Sequence, residues 1–278
     1  MRTLDGGIVV ANVGNTIPLS EPLDANVTTP GWPILPFKAF PEPAWDPVLR
    51  AQLLLAEFAA TPWQSKVSLP PPDTTPQMLQ SEIDDLIVKQ RTLRGERNSE
   101  ILAQSQDLTQ YWADLLMVTP AAKPATWELL SGAMAIGHMV GMVFKAKFNR
   151  ARPVQLYPAL MPSLLTPPHP SYPNNHALQS YLISECLILK LEAFAQPLRE
   201  LADRVGVNRE VAGFHFPSDR RASKKLVEQI LPILKAGPYF KALLDRVGQE
   251  WEVVTPIPHN TPWIDALAPD IGAPGTSR

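Results

Sequence analysis

Apolar residues recur at helical spacing in one segment after another, and no stretch alternates apolar and polar with the period of two that a half-buried strand requires. The first segment runs to Ala60. Asp46 is placed to cap it, Pro47 takes the first helical position, and Val48, Ala51, Leu55 and Phe58 fall on a common face. Pro62 and the run Pro70-Pro71-Pro72 close it. Thr75 and Pro76 open a second helix in which Met78, Leu79, Ile83, Leu86 and Ile87 keep the period, and Glu100 to Val118 carries the pattern on to a loop bounded by Pro120 and Pro124. Ala125 to about Lys147 predicts a long helix rich in small residues, Gly132, Ala133, Ala135, Gly137 and Gly141, over which neighbouring helices can approach closely. Pro153 then excludes the helical conformation at the residue before it, so this helix should end near Arg152, with Lys145 and Arg152 on one side of the helix end. After a proline-dense loop from Pro158 to Pro173, His176 to Phe194 is apolar around most of its circumference, which marks the central helix of the fold. Pro197 to Phe216, Pro217 to Ala236 and Pro238 to Trp251 predict three more, with Gly237 as a break. The expectation is an all-α, single-domain helical bundle over 46–253, flanked by an extended proline-rich arm (1–45) and a proline-rich tail (254–278).

Composition adds exclusions. A chain of 278 residues can bury a sizeable core, and a net charge of -2 gives no general attraction to nucleic acid or to an anionic membrane. Its one cysteine, Cys186, lies in the apolar setting of Ile183 to Leu189, which reads as a buried inert thiol. Met1 to Gly7 has no apolar signal-peptide core. The longest apolar run, Leu129 to Phe144, is interrupted by Ser131, His138 and three glycines and falls short of the roughly 20 residues that cross a bilayer. No membrane span and a soluble, cytoplasmic placement are therefore expected, with homo-oligomerisation left open. His138 itself reads as a hydrogen-bonded core residue.

Three polar clusters break the apolar pattern between Lys145 and Asp219. Lys145 is followed seven residues later by Arg152-Pro153; Pro173-Asn174-Asn175-His176 abuts the central helix; and Arg209 is followed by His215 six residues on and Asp219 four beyond that. Three cations, two histidines and a carboxylate suit the binding of a tetrahedral oxyanion: the cations neutralise its oxygens while a histidine attacks or ligates its central atom. Asn174 and Asn175 are good capping residues, and the free N–H groups at the start of the helix behind them form an anion site of their own. Spacing alone does not bring Arg209 and His215 together, because residues six apart on an ideal helix point to different faces.

The three clusters resemble the signature of the superfamily that joins type 2 phosphatidic acid phosphatases, bacterial class A acid phosphatases and vanadium-dependent haloperoxidases. That signature reads Lys, six residues, Arg-Pro; then Pro-Ser-Gly-His; then Ser-Arg, five residues, His, three residues, Asp, and every charged and histidine position is matched here. Asn174, Asn175 and Asn208 replace its Ser, Gly and Ser. The resemblance implies an all-α fold and assigns roles. His215 becomes the nucleophile of a phosphatase or the axial vanadate ligand of a haloperoxidase, Asp219 fixes its tautomer, and His176 is the general acid or base. Lys145, Arg152 and Arg209, with Asn174 and Asn175, hold the oxyanion. His169, in the context Pro168-His169-Pro170-Ser171-Tyr172-Pro173, stands where algal bromoperoxidases carry a histidine near the halide, and it favours a vanadate cofactor with halide and peroxide as substrates. A cofactor-free soluble phosphomonoesterase acting through phosphohistidine is the alternative, and a repurposed anion-binding homologue without turnover is a third.

Overall fold

The computed structural model describes residues 40–252, so the expected tail and most of the expected arm lie outside the described residues. Within them the chain forms α1 (Pro47–Ala59), α2 (Trp63–Lys66), α3 (Pro76–Gln106), α4 (Gln110–Leu116), α5 (Pro124–Phe148), α6 (Pro153–Leu156), α7 (Asn175–Ile188), α8 (Ala195–Val211), α9 (Pro217–Ala236) and α10 (Pro238–Glu250), with short 3-10 turns between some of them. No described residue is in a strand, and the fold is all-α.

The starts of these helices follow from local chemistry. The Asp46 carboxylate accepts from the amides of Val48 and Leu49, both at 2.9 Å, and Pro47 fills the first turn. The buried face of α1 is Ala51, Leu54 and Phe58, whereas Val48 is exposed, so the apolar stripe is rotated from the one expected. The two segments expected at 76–87 and 100–118 become one helix, α3, and a separate short one, α4. The polar stretch between Lys89 and Glu100 shows no apolar period, yet it consists largely of good helix formers on a solvated face and continues the helix.

α7 sits at the centre, packed by α5, α8 and α9, and α1 closes over α5. Leu178, Leu182, Ile183, Cys186 and Leu187 are fully buried, each apolar side chain of this size contributing about 1.5–3 kcal/mol. Burial pushes the Cys186 thiol pKa up, in keeping with an inert core residue. α7 stops at Ile188, short of the expected Phe194. α5 ends at Phe148, four residues before Arg152, because Asn149 turns left-handed (φ 45°) and sends the chain into an extended segment. Arg152 is thus off the helix that carries Lys145, contrary to the expectation of a shared helix end.

α5 also overturns the expectation that nothing here could cross a membrane. With 25 residues it is long enough. The stretch Pro124–Leu156 contains an 18-residue window of mean hydropathy 1.4, of which 56% is buried inside the protein. The interruptions at Ser131, His138 and the glycines do not lower that average enough to exclude a span, and the soluble placement drawn from them does not stand.

Candidate active site

The loop 157–174, the start of α7, the end of α8 and the bend before α9 meet around a cavity of about 410 Å³. His169, His176, Arg209 and His215 line its polar side, and Leu164, Leu165, Pro167 and Phe214 its apolar side. Arg209 and His215 converge because α8 ends at Val211. The chain reverses through Gly213, whose φ of +80° suits glycine, and the amide of Phe214 bonds back to the Arg209 carbonyl at 3.0 Å. A second cleft of about 560 Å³, lined by Arg150, Arg152 and Gln155 among others, shares Pro167 and His169 with the first.

His215 is held on both ring nitrogens. Nδ1 lies 3.0 Å from Asp219 Oδ2 and Nε2 lies 3.2 Å from Arg152 Nη1. A guanidinium only donates, so Nε2 carries the lone pair and Nδ1 the proton. Asp219 is fully buried at the third position of α9, where its Oδ2 also accepts from the Phe216 amide at 3.0 Å and from the Ser171 hydroxyl. His169 Nδ1 lies 3.0 Å from Arg152 Nη2 and 3.2 Å from the Pro170 carbonyl. Burial, then the nearby Lys145 and Arg152, hold the His215 pKa well below its usual value, and the same three causes bring His169 to about 4. His176 falls to about 3, first through loss of water and then through Arg209, although a hydrogen bond to the Gln104 backbone opposes the shift. All three rings are neutral at pH 7.

The three cations expected to act alike are differently employed. Lys145 is fully buried and donates to the carbonyls of Pro170 (2.7 Å), Ser171 (2.9 Å) and Pro173 (2.5 Å), so it fastens the loop ahead of α7 rather than presenting free N–H groups to an anion. Arg152 gives Nε to the His169 carbonyl at 2.9 Å and Nη1 to the Phe214 carbonyl at 2.8 Å, besides its contacts to the two histidines. Arg209 alone of the three keeps a buried donor, Nε, without a partner, while its Nη2 binds the Ile101 carbonyl (3.0 Å) and Gln104 Oε1 (3.1 Å).

The asparagines divide likewise. Asn174 caps α7 by accepting from the Ala177 amide at 3.2 Å and leaves its buried Nδ2 unpartnered. Asn175 Nδ2 lies 3.4 Å from His138 Nδ1, and His138 is exposed on α5 rather than placed in the core. A β-carbon at Gly141 would stand 1.8 Å from Asn175 Oδ1; the bulk of asparagine at 175 is accommodated by the glycine opposite. Asn208 bonds Gln104 Oε1 at 3.2 Å and receives Arg97 at 3.2 Å, outside the cavity lining.

Four residues in this arrangement escape a motif-based reading: Ser171, Arg150, Glu82 and Gln104. Ser171 and Arg150 lie inside the signature stretch and were open to inspection by proximity. Glu82 and Gln104 are ordinary polar positions on α3, with nothing local to mark them.

No family model matches the chain, and no curated protein does. Among solved structures, one that is similar is the first transmembrane PAP2-type phosphatidylglycerolphosphate phosphatase from Bacillus subtilis, at 15% identity and a TM-score of 0.42 over 73% of this chain and 97% of that one.

Proposed function

We propose that this chain hydrolyses phosphomonoesters through a phosphohistidine at His215, as a member of the superfamily its motifs resemble. The observation that carries the reading is the state of His215: Nδ1 protonated against Asp219, Nε2 bearing the lone pair, in one cavity with His176 and Arg209, whose buried Nε has no partner. A bound phosphoryl group draws Arg152 Nη1 from Nε2 to one of its own oxygens, which frees the lone pair. Nε2 then attacks phosphorus, an N–P bond forms, the ester P–O bond breaks, and the leaving oxygen takes a proton from His176. The phosphate dianion offsets the positive field of Arg209 and raises the basicity of His176, so that the ring, neutral in the free protein, can carry that proton. Water then attacks phosphorus, its proton passes to His176, and the N–P bond breaks to release phosphate. Arg209, in the cavity lining, keeps a buried Nε without a partner and is the donor for the developing charge.

The test is p-nitrophenyl phosphate turnover together with acid-labile, base-stable labelling of the protein by radioactive phosphate. Wild type should show both and His215→Ala neither, with its helical signal unchanged. Turnover that survives His215→Ala assigns the nucleophile elsewhere; tight phosphate binding with no turnover by wild type leaves the repurposed reading.

His169 in the cavity lining supports a second reading, a vanadium-dependent haloperoxidase. Vanadate has the shape and charge of phosphate, so His215 and Arg209, which line the cavity, would hold it. Bound there, it would supply the activation of hydrogen peroxide for halide oxidation. Hydrolysis stands first because the chain and water supply everything it needs. Peroxide-dependent bromination by vanadate-loaded protein separates the two.

A further inference from the structure

Three buried charges lead away from His215 through Asp219. Oδ2 of Asp219 faces His215, and Oδ1 is taken at 2.7 Å by Arg150 Nη1, which also binds Ser218 Oγ at 2.7 Å. Arg150 Nη2 reaches Glu82 Oε2 on α3 at 2.9 Å. Glu82 in turn accepts from the Ser218 amide (2.7 Å) and hydroxyl (2.8 Å) and from Arg221 (3.3 Å). The Arg150 guanidinium lies over the Phe216 ring, 3.9 Å from its centroid. Glu82, Arg150 and Asp219 are 4%, 5% and 0% exposed.

We propose that Glu82 and Arg150 are positioning residues for the His215 site: they clamp the Asp219 carboxylate so that one oxygen faces His215 Nδ1, and thereby hold the His215 lone pair on Nε2. The terminal torsion of an aspartate is broad and roughly two-fold, so the side chain alone does not choose which oxygen meets His215 or at what angle. Oδ2 serves Ser171, Phe216 and His215 at once, a geometry that tolerates little rotation. The grip on Oδ1 removes that freedom. A planar guanidinium can bind two carboxylates and a hydroxyl simultaneously, whereas an ammonium on a flexible stem cannot reproduce the fork. Glu82 supplies the second half of the clamp by fixing Arg150 from a separate helix and by tying down Ser218, next to Asp219.

A buried ion pair that only fastened α3 to α9 would show the same distances, so the test reads the imidazole itself. The inference rests on His215 as the reacting group, but the first measurement needs no turnover. The low-field Nδ1–H proton resonance of His215, assigned by its loss in His215→Gln, should be present in wild type, broadened in Arg150→Lys, and absent in Arg150→Met and Asp219→Asn. Glu82→Gln, which keeps shape and removes charge, should weaken it and carries the test if Arg150→Met does not fold. In p-nitrophenyl phosphate assays, Arg150→Met should lower kcat by about tenfold or more with KM within about threefold, Arg150→Lys should recover part of the loss, and Arg150→Met added to Asp219→Asn should cost nothing further. An unchanged Nδ1–H resonance in folded Arg150→Met or Glu82→Gln, or losses in Arg150→Met and Asp219→Asn that simply add, overturns the proposal. Absence of turnover by wild type counts against the phosphatase reading alone, and the resonance still decides the clamp.

Discussion

Replacing Arg209 by methionine should weaken anion binding while leaving fold stability nearly unchanged. The two acceptors it would abandon are not stranded: Gln104 Oε1 keeps Asn208 Nδ2 at 3.2 Å, and the Ile101 carbonyl lies within α3, where helical bonding satisfies it. Burial lowers the guanidinium pKa only to about 10, so the residue is cationic at neutral pH and its unpartnered Nε is a charged donor. Losing one charge-assisted hydrogen bond to phosphate or vanadate costs about 1.5–3 kcal/mol, or about 10- to 150-fold in Kd. Lys145→Met should do the reverse. It strands the carbonyls of Pro170, Ser171 and Pro173, at about 1–3 kcal/mol for each that stays buried without a donor, and its main effect should be on unfolding. Calorimetric titration with orthovanadate and orthophosphate, paired with urea denaturation, reads both quantities on both variants. Wild-type affinity in Arg209→Met, or wild-type stability in Lys145→Met, refutes the division of labour drawn from their hydrogen bonds.

Gly141→Ala should destabilise the protein by about 1–3 kcal/mol and loosen vanadate binding, since its β-carbon would stand 1.8 Å from Asn175 Oδ1 and push the first residue of α7 away; an unchanged urea midpoint would show that Asn175 repacks freely. Acid should destabilise the fold. The His169 and His176 pKa values are depressed to about 4 and about 3 and that of His215 well below 6.5, so as pH falls below about 6.5 the unfolded chain binds protons that the folded one refuses, and stability drops by at most about 1.4 kcal/mol per pH unit per ring. Urea midpoints at about pH 7 and about pH 5 check this, and the slope should be shallower in a His169→Gln, His176→Asn double variant.

The helices were legible because their determinants are local. Asp46-Pro47, Thr75-Pro76 and the Pro217 start act within one turn, and the all-round apolarity of 176–188 requires a central position whatever surrounds it. The same reasoning, tied to the apolar period, missed the solvated stretch of good helix formers that makes α3 continuous and the average apolarity of α5, and tertiary packing rotated the buried stripe of α1. The histidines and the arginine that line the cavity were already singled out in the sequence as breaks in the apolar pattern.

What each residue does was decided only by the tertiary structure. In the sequence Lys145, Arg152 and Arg209 are three equivalent cations; in the fold one fastens a loop, one holds two imidazoles and one keeps a free donor, because a hydrogen-bonding group is defined by which acceptors the rest of the chain brings within about 3 Å of it. Arg209 and His215 could not be joined by helical spacing, and a reversal at Gly213 joins them. Glu82 and Gln104 come from α3, more than 100 residues before the Asp219 and Arg209 they serve, and no local pattern records such a pairing. Short-range order therefore specified the helices and the inventory of the site, while long-range packing specified the partners, and through them the tautomer of His215 and the charge states of the pocket.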